Sequence, residues 1–335
     1  MRKPAIGIFS ISDRIIVENL LTVQLCYARG ADVVYFTKDD INYDTNTINA
    51  QVWTVNGFVR EVTEFPHYVE FGGGAGDYRK LLADKTTIID DYKLTKNQVS
   101  DFLLTTKFAP CIIPTVHTHN PVRVLSCSMM YDEIIIKPVE GARGERINCL
   151  KVCDEGFVFT DTEGVVKALN YQDSLNYINE LYNGKPLIIQ PRMKFLNKDG
   201  RIMDFRINVE KNGKGEWSTV FMIARTSRGS IVSNISAGGY VSEAKKTLEI
   251  DFGENAQSLI EKFTEIAKDL PPLIEEVSQC NMLSLGIDVA VDAETLQSYI
   301  IEVNVIPQVH YHKSAYVSTK ADYFAYLTKQ IHNND

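Results

Sequence analysis

The chain has 335 residues, of which 44% are hydrophobic and 23% are charged, with a formal net charge of −8 at neutral pH. This length and composition predict an extensive core divided into two or three joined lobes, and the acidic balance argues against a general nucleic-acid binder. No uninterrupted apolar run approaches the length of a membrane span, and the six cysteines are scattered, which favours a cytoplasmic protein with reduced thiols.

Residues 1–93 are predicted to form an N-terminal α/β lobe. Short apolar runs at 6–9 and 33–36 flank a helical pattern over 17–29, which is the order of a β-α-β unit. The basic start of the chain is therefore interpreted as the approach to a first strand and not as a signal peptide. The stretch 51–62 alternates around an Asn-Gly turn and predicts a β-hairpin.

Two glycine-rich loops follow in chain order. The loop at 71–76 precedes a predicted helix but lacks the lysine and hydroxyl of a P-loop, so we interpret it as a connector. The second loop, with Gly141 and Gly144, follows a strand-like run that ends at Lys137 and leads back into another strand. Such a hairpin can fold over a triphosphate like a flap, although an ordinary hairpin with a surface lysine has the same pattern.

Residues 94–187 are predicted to form a central lobe that contains this hairpin, and residues 188–335 a C-terminal lobe. The run at 186–193 is typical of a strand that enters a hinge. In the run at 202–209, polar and apolar residues alternate with the period of a strand. The polar residues on one face of that strand are Asp204, Arg206 and Asn208.

Residues 284–304 contain two strand-like runs joined by a polar turn, a pattern that predicts an antiparallel hairpin. Asp288 lies on the first run, and Glu302 and Asn304 share a face of the second. Two carboxylates and an amide at a sheet surface repel one another and lose hydration unless a hard cation lies among their oxygens, typically Mg²⁺ with phosphate. An exposed hairpin whose polar residues face water is the alternative.

Taken in chain order, these motifs resemble the ATP-grasp superfamily and are most similar to its YheC/YheD-like branch, which is associated with bacterial spore coats. The best local matches are MDFRINV at 203–209, ARTSRGSIVSN at 224–234 and IEVN at 301–304. The resemblance extends over roughly residues 94–310. It implies an ATP-grasp fold of mixed α/β and α+β class, with an N-terminal pre-ATP-grasp domain and two lobes that clasp ATP.

The resemblance also implies a nucleotide site between the two lobes. Lys96 and Lys137 would contact the phosphates beneath the flap that contains Gly141 and Gly144. Adenine would lie against the hinge residues, which are Gln190, Pro191, Arg192 and Met193. A carboxylate often occupies the Gln190 position in relatives, so amide and backbone groups are expected to make the adenine contacts here.

The metal ligands implied by the resemblance are Asp288, Glu302 and Asn304, holding one or two Mg²⁺ ions that bridge the phosphates of ATP. Arg206 and Arg225 would compensate charge on the transferred phosphoryl group, and Asn234 would line the acylphosphate site. A structural ion pair with a nearby carboxylate is the alternative role for each arginine, and above all for Arg225.

The implied activity is ATP-dependent carboxylate–amine ligation through an acylphosphate, with release of ADP and phosphate. The alternatives are a metabolite kinase with the same nucleotide site and a non-catalytic ATP-binding protein of the spore coat. The expected partners are carboxylate and amine substrates, either small molecules or peptides, without nucleic acid or membrane. A cytoplasmic location, an association with spores and a homodimer are expectations from the family.

Overall fold

The computed structural model describes residues 1–12, 15–71, 77–92, 94–139, 146–227, 239–305, 307 and 312–334. Within these ranges the strands form three sheets that follow one another along the chain. None of the helices found in these ranges is both long enough and apolar enough to cross a membrane.

The N-terminal lobe is built on a mixed sheet with a parallel centre. Its strands are β1 (Ile6–Ser10), β2 (Val33–Thr37), β3 (Ile41–Asn42), β4 (Thr47–Thr54), β5 (Gly57–Thr63), β6 (Tyr68–Phe71) and β7 (Thr87–Ile88), and its helices are α1 (Val17–Ala28) and α2 (Tyr78–Leu82). Strand β1 pairs in parallel with both β2 and β6, so the predicted β-α-β beginning is confirmed. Strands β4 and β5 form the predicted hairpin.

The central lobe is an antiparallel sheet with helices packed on it. The helices on this sheet are α4 (Pro121–Ser128) and α5 (Tyr171–Tyr182), and its strands are β8 (Val116–Thr118), β9 (Glu133–Pro138), β10 (Asn148–Cys153), β11 (Gly156–Asp161), β12 (Val166–Leu169) and β13 (Leu187–Pro191). Helix α3 (Lys96–Leu103) was expected in this lobe, but its Val99 and Leu103 are buried in the core of the C-terminal sheet. The strand order is β12-β11-β10-β9-β13-β8. Strands β9 and β10 are the two arms of the predicted flap hairpin. The boundary expected between residues 187 and 188 falls inside β13, which pairs with β9 along its whole length.

The C-terminal lobe is a second antiparallel sheet with the order β16-β15-β14-β17-β18. These strands are β14 (Met203–Lys211), β15 (Trp217–Thr226), β16 (Tyr240–Glu243), β17 (Ser284–Val291) and β18 (Ser298–Val305), and the helices are α6 (Ala244–Phe252), α7 (Ala256–Ser278) and α8 (Lys313–Asn334).

One face of the C-terminal sheet is apolar and the other is polar. Phe205, Ile207 and Val209 of β14 are fully buried in a core shared with α7, where the rings of Phe205 and Phe263 lie 5.0 Å apart. Because side chains alternate along a strand, the intervening residues of β14 point to the opposite face. That face carries the charged residues predicted from the sequence.

Helix α8 returns from the C-terminal sheet to the N-terminal lobe. Ala321 and Phe324 of α8 are fully buried in one core cluster with Ile6 and Ile8 of β1. At the helix surface, Arg29, the residue directly after α1, donates a hydrogen bond of 2.8 Å to the carbonyl oxygen of Ser318. The last helix of the chain therefore joins its first lobe to its last sheet.

Candidate active site

A cavity of about 560 Å³ lies between the central sheet and the C-terminal sheet. Lys96, Lys137, Gln190 and Glu302 all line it, although they come from four different elements. Its volume is within the range of about 300–1,000 Å³ that is usual for small-molecule sites. Four residues selected from separate sequence motifs thus meet around one cavity.

The predicted hairpin is confirmed as strands β17 and β18, which pair antiparallel. Asp288 lies directly opposite Glu302, and Gly286 lies opposite Asn304. Directly opposed side chains on one sheet face have Cβ atoms about 4.5–5.5 Å apart. The side chains of Asp288 and Glu302 are therefore neighbours on one sheet face, and Glu302 lines the cavity.

Two arginines surround the carboxylate of Asp288. Arg206 is bidentate, with its Nε and Nη2 atoms donating to the two carboxylate oxygens, and the Nη2 bond is 2.9 Å long. The Nη2 atom of Arg225 lies 3.1 Å from Asp288, and its Nε atom donates to Asp204 at 2.5 Å. Burial opposes the charged form of Arg225, but Asp204 and Asp288 outweigh it and raise the pKa of this guanidinium. The ion pairs considered as the alternative role of Arg206 and Arg225 are therefore both present.

Gly286 provides the space in which the Arg206 side chain lies. A Cβ atom at this position would lie 3.0 Å from Nη1 of Arg206 and 2.8 Å from the Pro307 side chain. Any larger residue at 286 would push the guanidinium away from Asp288. The arginine–aspartate arrangement thus depends on a glycine on the neighbouring strand.

Both predicted phosphate lysines face Glu302. The ammonium of Lys96, at the first turn of α3, forms an ion pair with Oε1 of Glu302. Lys137 is half-buried on β9, where burial lowers the pKa of its ammonium, Glu302 opposes that effect, and Lys96 adds to it. Two cations that line the same cavity form a positively charged wall suited to phosphate oxygens.

The hinge residues divide between the cavity and the lobe surface. The side chain of Gln190 lines the cavity and donates a hydrogen bond of 2.9 Å to Oγ1 of Thr115. The side chain of Arg192 pairs with Glu133 at 2.5 Å and contacts the Cys149 sulfur at 3.4 Å. A role for Arg192 in adenine binding would therefore rest on its backbone, and that role, like those of Pro191 and Met193, stays a prediction.

Several wall residues were not selected from the sequence. They are Ile112, Thr115, His117, Ile188 and Ile300. The sequence of the apolar members is typical of an ordinary core, and His117 lies on the short strand β8. Only the meeting of two sheets turns these side chains toward a common space. The predicted residues Gly141, Gly144 and Asn234 lie outside the described residues.

The hairpin residues offer oxygen ligands of the kind that Mg²⁺ prefers. Glu302 Oε1 is buried and accepts no hydrogen bond, its contact being the ion pair with Lys96. The amide nitrogen of Asn304 donates to Asp288 at 3.4 Å, so its amide oxygen is not used in that bond. Among the described residues there is no group of three or more His, Cys, Asp or Glu side chains placed to hold a metal ion. Glu302 and the amide oxygen of Asn304 fit a cation whose remaining ligands come from phosphate or water. Both carboxylate oxygens of Asp288 are held by Arg206 and Arg225, so Asp288 would join such a cation only when an arginine releases it.

The fold matches solved ATP-grasp structures over nearly the whole chain. The ATP-grasp ligase PsnB, complexed with a phosphomimetic variant of its minimal precursor, Mg and ADP, has a TM-score of 0.56 at 12% identity, and the match covers 98% of this chain and 100% of that chain. The D-cycloserine synthetase DcsG has a TM-score of 0.52 at 12% identity, with coverage of 98% and 99%. The protein therefore has an ATP-grasp fold, as the ordered motifs indicated.

The protein belongs to the YheC/D like ATP-grasp family, whose model matches residues 85–328. The endospore coat-associated protein YheD of Bacillus subtilis (strain 168) is 22% identical over 365 residues, which cover 98% of this chain and 79% of YheD. The endospore coat-associated protein YheC of the same organism is 23% identical over 306 residues, covering 83% of this chain and 81% of YheC. The resemblance to this branch is confirmed.

Proposed function

We propose that the protein is an ATP-dependent carboxylate–amine ligase that activates its acid substrate as an acylphosphate. The observation that carries this proposal is the cavity in which Lys96 and Lys137 face Glu302, next to a sheet face where Arg206 and Arg225 converge on Asp288. The cavity has cations for the phosphates of ATP, and the adjoining face has cations for charge that develops during transfer.

Each group has a distinct task in the proposed reaction. Lys96 and Lys137 hold the phosphates, and the side chain of Gln190 with the hinge backbone holds adenine. Mg²⁺ bound by Asp288, Glu302 and Asn304 would neutralise charge on the ATP phosphates. Arg206 and Arg225 would stabilise charge on the γ-phosphoryl group as a substrate carboxylate attacks it and ADP leaves.

The second half of the reaction requires no nucleophile from the protein. An amine attacks the acyl carbon, the bond to phosphate breaks, and the amine loses a proton as the amide forms. Phosphate is a far better leaving group than oxide, so positioning and charge neutralisation by the protein are sufficient. The buried thiols of the chain therefore need no role in catalysis.

The structurally similar ligases differ in the molecules with which their names associate them, which supports a broad range of candidate acid substrates here. PsnB has been solved with the precursor peptide PsnA2 and AMPPNP, at a TM-score of 0.56 and 13% identity, whereas DcsG is a synthetase of the small molecule D-cycloserine. We therefore include both peptides and small molecules as candidate substrates. The two Bacillus relatives are named as endospore coat-associated, which supports a spore-related setting.

Hydroxylamine provides the test of the reaction class. Incubated with Mg-ATP and pooled amino acids or peptides, the protein is expected to convert a carboxylate to a hydroxamate, with ADP formed in equal amount. Mass spectrometry would identify the acid. A reaction without hydroxylamine, which here takes the place of the amine, is the control. Phosphorylation of an alcohol without hydroxamate would show that the protein is a kinase and not a ligase. Binding of ATP without any product would show that it is a non-catalytic ATP-binding protein.

Replacing Lys137 by Ala is expected to raise the dissociation constant for ATP. A charge-assisted hydrogen bond contributes roughly 1.5–3 kcal/mol, so the loss of affinity should be about tenfold or more. Titration calorimetry with a non-hydrolysable ATP analogue measures it. The matched control is Lys185→Ala, an exposed lysine before β13 that should leave affinity unchanged. Equal affinity of wild type and the Lys137 variant for the ATP analogue would show that Lys137 has a structural role and does not hold the phosphates.

A further inference from the structure

A second group of charged side chains is buried where the N-terminal lobe, the C-terminal sheet and helix α8 meet. We call it the Lys320 cluster, and its members are Glu70 of β6, Asp90, Glu210 of β14, and Tyr316 and Lys320 of α8. None of these residues lines the nucleotide cavity. Buried ionisable groups are costly unless they are paired, so their presence requires an explanation.

Lys320 holds the N-terminal lobe to α8. Its ammonium donates to Oε1 of Glu70 at 3.0 Å, and only 5% and 6% of the two residues are exposed. The ammonium also lies 4.9 Å from the centre of the Tyr316 ring. A paired, nearly inaccessible lysine between two segments fixes their relative position as long as its carboxylate partner stays in place.

Glu210, on β14 of the C-terminal sheet, is the carboxyl group that acts on the same lysine from this sheet. It is completely buried, and neither of its carboxylate oxygens has a hydrogen-bond partner among the described residues. Ser284, directly opposite on β17, is also fully buried with an unpartnered hydroxyl. Lys320 is the cation that acts on Glu210 electrostatically, while Asp90 and Glu70 repel it.

The cluster thus has one lysine for three carboxyl groups, and Arg79 of α2 is a further cation that acts on Asp90, to whose carbonyl oxygen it donates a hydrogen bond of 3.0 Å. Glu70 has the hydrogen bond to Lys320, and Asp90 accepts one of 2.8 Å from the backbone amide of Leu283. Glu210 has neither, so a proton is the simplest way to avoid burying an unpaired charge. Burial raises the pKa of Glu210 to about 9 and that of Asp90 to about 7.

We propose that the Lys320 cluster is a proton-controlled latch between the lobes, in which neutral Glu210 leaves Lys320 to hold Glu70. When Glu210 loses its proton, a second buried carboxylate competes with Glu70 for the same ammonium. The joint between β6, α8 and β14 then loosens. Because β14 also carries Arg206, the latch connects the docking of the N-terminal lobe to the strand of the active site.

The latch predicts that stability falls as the pH rises. The folded protein keeps the Glu210 proton up to a pKa of about 9, whereas the unfolded chain releases it near the ordinary value of 4.5. Between pH 7 and 9 Glu210 therefore keeps up to one proton more in the folded state, and this residue alone should multiply the unfolding constant by up to about tenfold per pH unit. The thiols of Cys26 and Cys149, whose pKa values burial also raises, add to this dependence toward pH 9 in wild type and variants alike. Asp90, with a pKa of about 7, contributes mainly below this window, and the pKa of Lys320 is raised, so its charge is constant within it.

The test is urea unfolding of the full chain at several pH values from 7 to 9. Glu210→Gln has the shape of the protonated carboxyl but cannot ionise, so it should abolish about one proton of pH dependence and be more stable than wild type at pH 9. Glu210→Asp can still ionise and should retain the pH dependence. The matched control is Glu216→Gln, an exposed residue of the following turn that should behave as wild type.

Hydrogen exchange at pH 8.5 tests the position of the loosening. Amides of β6 and α8 should exchange faster in wild type than in Glu210→Gln, and amides of the β10–β11 hairpin should not differ. The same pH dependence in wild type and in Glu210→Gln would overturn the latch. Failure of the Gln variant to fold would do so as well, because Gln reproduces the neutral side chain that the proposal requires, and so would equal exchange in β6 and α8.

Discussion

Replacing Glu302 by Gln is expected to reduce Mg²⁺-dependent ATP turnover by about a hundredfold or more, because the change removes a charge that both metal and phosphate lysines use. Gln has nearly the same shape, and the Glu302 side chain is 27% exposed at the cavity edge. The fold should therefore survive, with a stability change of about 1 kcal/mol or less. Initial rates of ADP release against Mg²⁺ concentration, with circular dichroism on the same samples, measure both effects.

The control for this variant lies on the same hairpin. Glu294, in the turn between β17 and β18, is exposed and pairs with Lys194, so Glu294→Gln should retain turnover and Mg²⁺ dependence. A Glu302→Gln protein with unchanged Mg²⁺-dependent turnover would remove this residue from the metal site. The assignment of Asp288 and Asn304 as metal ligands would then lose its main support, because all three residues are predicted to belong to one metal site.

Replacing Arg225 by Ala is expected to have two large effects. The variant leaves Asp204 and Asp288, both about 95% buried, without one of their cations. Breaking a buried ion pair by removing one partner costs about 3–5 kcal/mol, so the unfolding free energy should fall by that amount. If Arg225 also stabilises the transferred phosphoryl group, the chemical rate should fall by about 10²–10³ with little change in ATP affinity.

A double variant separates the two effects. Arg225→Met with Asp204→Asn removes the charge at position 204 and should recover part of the lost stability, whereas the rate should stay low. Arg60→Ala is the control, because the Arg60 side chain is 50% exposed and its pair with Asp40 is worth about 1 kcal/mol or less. Recovery of both stability and rate in the double variant would make Arg225 a purely structural residue.

Much of the active site could be predicted from local sequence patterns. The alternation in β14 and β18 determined which residues share a face, since side chains on a strand have a period of two. The polar turn before β18 set the hairpin in which Asp288 lies opposite Glu302. These are short-range relations that depend on neighbouring residues, so one sequence is enough to infer them. The order of the motifs then indicated the family.

The flap shows where local patterns stop being informative. Strands β9 and β10 were predicted as the arms of a hairpin and are confirmed as an antiparallel pair. Whether Lys137 lines a cavity depends on β18, which lies far away in the chain but supplies Glu302 to the same cavity. The sequence pattern was equally compatible with a surface lysine. The packing of the central sheet against the C-terminal sheet decides that Lys137 lines the cavity.

The sequence by itself determined the family, the strand faces and the set of candidate ligands. Only the tertiary structure decided which charges are partners: Arg225 with Asp204 and Asp288, Lys96 with Glu302, and Lys320 with Glu70. The physical reason is that local periodicity sets the direction of a side chain but not what it meets. In the sequence, Glu210 is an ordinary polar position of β14. It is buried near Lys320 only because α8 packs against this part of the fold.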